Sequence, residues 1–170
     1  EFLSAAITDY NAHGRPLSIT DPNGLVTTLT YDARQRLKTR TVGGELTTYD
    51  YDGLGQLVTV TLPDNSTLSY AYDAAHRLYE ITDTLGNKIT YTLDNLGNRL
   101  SESYRDPSGA LARTRTRVYD GLSRLYQDIG GASPATQITQ FGYDDNGNQT
   151  SSLDPLGRST TQSYDALNRL

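Results

Sequence analysis

Cysteine, methionine and tryptophan are all missing from this chain of 170 residues, and only two phenylalanines occur. Without thiols there is no disulfide framework, no thiolate zinc site and no cysteine nucleophile. No apolar run approaches the roughly 20 residues that cross a bilayer as a helix, and no signal peptide precedes the first repeated segment, so no membrane span is expected. Positive charge is scarce as well. Fifteen Lys and Arg stand against 20 Asp and Glu, for a net charge of −5. That balance argues against phosphate-backbone binding and excludes a nucleic-acid partner. Hydrophobic residues make up 35% of the chain, enough for a thin buried layer along a sheet and hardly for a thick core. Valine and isoleucine are sparse, and tyrosine, with 13 copies, carries most of the aromatic content. Tyrosine and threonine both suit a pleated, half-buried surface.

What is present is a repeat. A Tyr-Asp pair, a short polar loop and a Leu return about every 21 residues. The segments are Tyr31-Asp32 to Leu37, Tyr51-Asp52 to Leu57, Tyr72-Asp73 to Leu78, Tyr119-Asp120 to Leu125 and Tyr164-Asp165 to Leu170. Three variants, expected to be longer, run Tyr10 to Leu17, Leu93 to Leu100 and Tyr143 to Thr150. Residues 1–170 therefore read as one array of about eight units, starting near Tyr10, Tyr31, Tyr51, Tyr72, Leu93, Tyr119, Tyr143 and Tyr164. An array of one supersecondary unit is not a globular enzyme fold. The chain opens without Met and stops on a repeat Leu, so a fragment of a larger protein is expected.

Each unit reads as two strands joined by turns. Before the repeat Tyr the residues alternate: Leu25, Thr27, Leu29 and Tyr31 share one face, while Val26, Thr28 and Thr30 share the other. Such period-two patterning predicts an antiparallel, one-sided sheet. The repeat Asp accepts from backbone amides in the following loop. Gly14, Gly55, Gly97 and Gly147 fill a later slot suited to a left-handed backbone, which Gln35, His76, Ser123 and Asn168 occupy elsewhere. Asp21-Pro22-Asn23-Gly24, Asp106-Pro107-Ser108-Gly109 and Asp154-Pro155-Leu156-Gly157 read as a second, type I turn. The strand after each Leu resists phasing, because Val60, Ile81 and Leu153 lie three residues on but Ile19 only two.

Carboxylates are many, but they recur at one slot, which favours turn stabilisation over catalysis. An acid/base pair needs unlike environments to separate its pKa values. His13 and His76 lie in repeat loops and need no further role there. Asp144-Asp145-Asn146-Gly147-Asn148 resembles a calcium loop but lacks the Gly at the sixth and the Glu at the twelfth position. No nucleophile-elbow pattern surrounds the serines. No catalytic residue, metal or cofactor is expected. Arg113, Arg115 and Arg117 alternate with Thr114 and Thr116 and place three cations on an otherwise apolar face, either as a solvated strand end or as an anion or cargo contact.

The Tyr-Asp-led segments and the Asp-Pro-x-Gly turns resemble the RHS/YD-repeat family from about Tyr10 to the end of the chain. That family includes bacterial Rhs polymorphic toxins, C components of insecticidal toxin complexes and animal teneurins. The resemblance implies an all-β fold of tandem antiparallel hairpins in a continuous curved or spiral sheet, a segment of a hollow shell. It also implies that Tyr31, Asp32, Leu37, Tyr51, Asp52, Gly55, Leu57, Tyr72, Asp73, Leu78, Gly97, Tyr119, Asp120, Leu125, Tyr143, Gly147, Tyr164 and Asp165 are structural repeat residues. The implied partners are the remaining shell repeats and an enclosed C-terminal toxin domain, in a secreted or cell-surface bacterial protein. The self-cleaving core of the family ends in Asp-Pro-x-Gly-Leu after a Gly-Gly-Asn-rich stretch. Asp21 to Leu25 match the short motif without the stretch. A reading of another class is an adhesion or carbohydrate-binding module, in which Tyr49, Tyr70 and Tyr91, with Arg113, Arg115 and Arg117, make the ligand contacts.

Overall fold

A computed structural model describes residues 6–131 and 137–170; the rest of the expected 1–170 array lies outside the described residues. The chain divides into two compact units, Glu1–Tyr70 and Ala71–Leu170. The first holds β1 (Ala6–Tyr10), β2 (Pro16–Thr20), β3 (Val26–Tyr31), β4 (Leu37–Val42), β5 (Glu45–Tyr51) and β6 (Leu57–Thr61). The division falls within β7 (Thr67–Tyr72). The second unit holds β8 (Leu78–Asp83), β9 (Lys88–Leu93), β10 (Arg99–Arg105), β11 (Leu111–Tyr119), β12 (Leu125–Gly130), β13 (Gln137–Tyr143), β14 (Gln149–Leu153) and β15 (Ser159–Thr161). Strand order is chain order, without a crossover. The fold is all-β, built of tandem antiparallel hairpins, as the alternation predicts.

The two expected kinds of turn prove to be one. At Asp32 the backbone amide donates to the Arg36 carbonyl at 2.9 Å, and the Gln35 amide donates back to the Asp32 carbonyl at 2.9 Å. The Asp32 carboxylate accepts from the amides of Arg34 and Arg36. At Asp21, in the supposed second kind, the same four bonds recur, with Gly24, Leu25 and Asn23 in the matching places. Every such turn needs a left-handed residue at its fourth position. Gly97 has φ 89°, and Gln35, His76, Ser123 and Asn168 adopt φ of 61°, 63°, 59° and 59°. Among the described turns Gly43-Gly44 departs from this pattern, a two-residue hairpin between Val42 and Glu45 in which both glycines have positive φ, as a type I′ turn requires.

The variants at Tyr10, Leu93 and Tyr143 are not longer. Asn11, Asp94 and Asp144 donate to the carbonyls of Arg15, Asn98 and Asn148, the spacing found at Asp32. The strand restarts one residue earlier than expected, at Pro16, Arg99 and Gln149, opposite Tyr10, Leu93 and Tyr143. A β-bulge follows at once. Thr30 pairs with Thr39 while Tyr31 pairs with Leu37, leaving Lys38 as the extra residue. Val58, Leu100, Tyr126 and Thr150 are left over in the same way. A bulge reverses the side-chain alternation once, which is why the following strand resists phasing from sequence. Counted from the true restart, Ile19 lies three residues on, as Val60 does.

Within the first unit one face carries Ile19, Leu29, Tyr49, Val60 and Leu68, and the other carries Thr28, Thr39, Thr41, Thr48, Thr59 and Thr61. The second unit keeps this division, with Ile81, Ile89 and Tyr91 opposite Thr90, Thr92, Ser101 and Ser103. The sheet is a single layer, and most strand residues are half-buried. Among the described residues only Val60, 7% exposed, and Glu102, 9% exposed, are buried.

Candidate functional site

The repeat motif is a linking device that works between neighbouring units. The Tyr31 hydroxyl donates to the Pro16 carbonyl at 2.9 Å, Tyr51 to Leu37 at 2.9 Å, Tyr119 to Arg99 at 3.3 Å and Tyr143 to Leu125 at 2.8 Å. Each tyrosine thus caps the first carbonyl of the strand before its own. The arginine ahead of that carbonyl lies over the same ring: Arg36 is 4.3 Å from the Tyr51 centroid and Arg124 4.8 Å from that of Tyr143. Cation–π contact of this kind contributes about 0.5–1 kcal/mol at an exposed site. Burial raises the pKa of the Tyr51 and Tyr143 phenols, which stay protonated donors.

The arginine is aimed by its own turn. Arg36 Nε donates to Asp32 Oδ2 at 2.7 Å, and Arg77 and Arg124 repeat the bond to Asp73 and Asp120. The remaining guanidinium nitrogen reaches forward, from Arg124 to the Asp144 carbonyl at 2.9 Å and from Arg77 to the Asp94 carbonyl. Where asparagine replaces arginine, Asn98 bonds Asp94 and the Ser123 hydroxyl, and Asn148 bonds Asp144 and Asn168. Backbone amides from Arg36, Arg77 and Arg124 hold Asp32, Asp73 and Asp120 below the usual carboxylate range. The role of this arginine is the feature that reading the sequence misses. Its signal is visible as the Arg before the Leu in Arg36-Leu37, Arg77-Leu78, Arg124-Leu125 and Arg169-Leu170.

The other expected site residues fall into place around this device. Asp52 heads its turn, accepting from the amides of Leu54 and Gln56, with Gly55 at the left-handed position. Leu57, Leu78 and Leu125 begin their strands, and Tyr72 ends β7. Tyr164 donates to Gln162 at 3.2 Å, and Asp165 heads the last turn, paired with Arg169. Gly147 closes the turn of Asp144, so the calcium-like segment is an ordinary repeat turn with its carboxylate already bonded to Asn146 and Asn148.

The second notable cluster occupies the face of β9 to β12. Glu102 and Asp128 stand in register with Tyr91 and Arg117, on the face that elsewhere holds Ile81 and Ile89. Burying a lone carboxylate is costly, and each here has a cationic answer. Glu102 lies 3.5 Å from Arg99 and 3.6 Å from Arg117 and accepts the Tyr104 hydroxyl. Asp128 takes both forks of Arg115. The Tyr104 hydroxyl, then the arginines, hold the Glu102 pKa low against its burial, and Arg115 does so for Asp128. So Arg115 and Arg117 are not a solvated strand end. They neutralise carboxylates that have taken core positions. Arg99 also lies over the Tyr91 ring at 3.8 Å. Tyr49, Tyr70 and Tyr91 are each half-buried.

Comparison with known proteins decides the family. The model of the teneurin YD-shell matches residues 5–170. The chain belongs to the teneurin YD-shell family. Its YD-shell repeats are 33% identical, over 121 residues, to double-stranded DNA deaminase toxin A of Burkholderia cenocepacia. That match covers 71% of this chain and 8% of the relative. A crystal structure of TcdB2-TccC3-Cdc42 shares the fold with TM-score 0.76 at 20% identity, over 95% of this chain and 10% of that one. A structure of the Photorhabdus luminescens Tc holotoxin pore does so with TM-score 0.71 at 21% identity, over 92% and 9%. The chain thus spans about a tenth of the length of the proteins it matches. Its role is structural, that of a shell-forming repeat sheet.

Proposed function

We propose that this YD-shell segment is one part of the wall of a hollow shell that encloses a toxin domain belonging to the same parent protein. On this reading 1–170 is one array within a longer, curved and continuous sheet, and the protein is exported by a bacterium. The observation that carries the reading is the linking device. The Tyr51 hydroxyl and ring tie its hairpin to the one before, through the Leu37 carbonyl and the Arg36 guanidinium, and Asp32 holds that arginine in place. The motif residues are used to make wall, and the segment is not catalytic. A single-layer sheet with half-exposed apolar residues also calls for cover that a closed shell supplies. The deaminase-toxin relative and the toxin-complex structures support a toxin as the enclosed cargo.

Limited proteolysis of the full-length parent tests this directly. The C-terminal segment should resist protease while the shell is intact and become cleavable once acid opens it. A C-terminal segment digested as fast in the intact protein as in the opened one overturns the proposal. Cryo-microscopy showing an open filament without a cavity does so too.

A further inference from the structure

Of the four arginines on the charged face, three are committed to carboxylates: Arg99 and Arg117 to Glu102, and Arg115 to Asp128. Arg113 makes no ion pair among the described residues. It is exposed, with its guanidinium 5.6 Å from the Tyr104 ring centroid. It also lines a cavity of about 550 Å³ with Arg115, Asp128, Gln137, Thr139 and Gly130. That volume falls among those of small-molecule pockets, though the lining is mostly polar. The cavity therefore holds two guanidinium groups against one carboxylate, in a chain whose net charge is −5. An uncommitted planar fork with one excess positive charge defines a ligand chemistry.

We propose that this cavity binds a carboxylate group, with Arg113 as the bidentate anchor and Gln137 and Thr139 as flanking hydrogen-bond donors. Guanidinium presents two parallel N–H groups that match a carboxylate edge to edge. A carboxylate brings a single charge, which balances the excess. Phosphate brings close to two at neutral pH and sets the second against Asp128, so it is disfavoured. The carrier is an Asp or Glu side chain of a peptide, since the cavity is open enough to admit an extended chain and the free acid gains no backbone contacts.

The test is a titration of the full chain, observed through arginine side-chain NMR signals. The probes are a capped Gly-Glu-Gly peptide, its Gly-Gln-Gly counterpart, acetate and inorganic phosphate. The Glu peptide should shift the Arg113 resonance at low-millimolar concentration, acetate should do so about tenfold more weakly, and the Gln peptide should not bind. Arg113→Gln should weaken the Glu peptide at least tenfold with an unchanged melting temperature. Should that variant melt lower than the parent, Thr139→Val takes its place, with an expected loss of about threefold. Full affinity retained in both variants overturns the site. So does equal binding of phosphate and the Glu peptide, or no response to that peptide at about 10 mM.

Discussion

Single residues in this chain act through backbone geometry and through one bond each, so their substitutions have small and separable effects. Tyr51 illustrates the bond. Tyr51→Phe keeps the ring under Arg36 and deletes only the donor to the Leu37 carbonyl. Thermal or urea unfolding should show a loss of about 0.5–1.5 kcal/mol. Tyr51→Leu should lose more, because the cation–π contact goes with the ring. Gly97 illustrates the geometry. A Cβ at Gly97 would meet nothing within 4 Å, so Gly97→Ala tests strain alone at φ 89°. It should cost about 1–2 kcal/mol in the same measurement. The same slot filled by Gln35 or Ser123 is tolerated in part because those side chains bond Asn11 and Asn98 in neighbouring units. The identity of the Tyr, Asp and Gly positions is legible from recurrence. The carbonyl that each Tyr caps and the ring that Arg lies over are not, because they lie in another repeat.

At the scale of the element, the bulge controls which face a strand presents. Val58 is the extra residue between Leu57 and Thr59, and it sets Val60 opposite Tyr49 and Leu68. Deleting Val58 moves Val60 and its neighbours to the opposite faces, since side chains alternate with a period of two. Far-UV circular dichroism should then show loss of the strand signal and of the cooperative melt, whereas Val58→Ala should change stability by less than about 1 kcal/mol. Strands are legible in their alternation, and turns in Asp, Gly and Pro. The bulge is not, since an extra residue leaves no mark of composition and shows only as a phase that fails to continue, as with Ile19. In the same way only the register between strands brings Arg117 beside Glu102 and Arg115 beside Asp128.

For the molecule as a whole, repetition sums small terms, and acidity reads the sum. The turn carboxylates are held below their ordinary range, by the backbone amide four residues on at Asp32, Asp73 and Asp120, and by the side chain there at Asp94, Asp144 and Asp165. Each has a folded-state pKa below its unfolded one. Its stabilisation is complete above the usual aspartate range and is lost as pH falls through about 4 and below. Melting temperature should be flat from neutral pH to about 5 and then drop steeply, with a visibly smaller drop in a variant carrying Asn at these six positions. An equal drop in that variant would place the acid sensitivity elsewhere.

By itself the sequence determined the all-β class, the hairpin repeat and its turn chemistry, because each depends on residues close together in the chain. Alternation along one strand and an Asp followed by a left-handed residue are local facts. Tertiary structure alone decided that both turn types are one, that each strand restarts at Pro16, Arg99 or Gln149 in the variants, and that Arg113, unlike Arg99, Arg115 and Arg117, makes no ion pair among the described residues. Those outcomes depend on register between strands, where a shift of one residue exchanges every partner, and no single segment of sequence contains that choice.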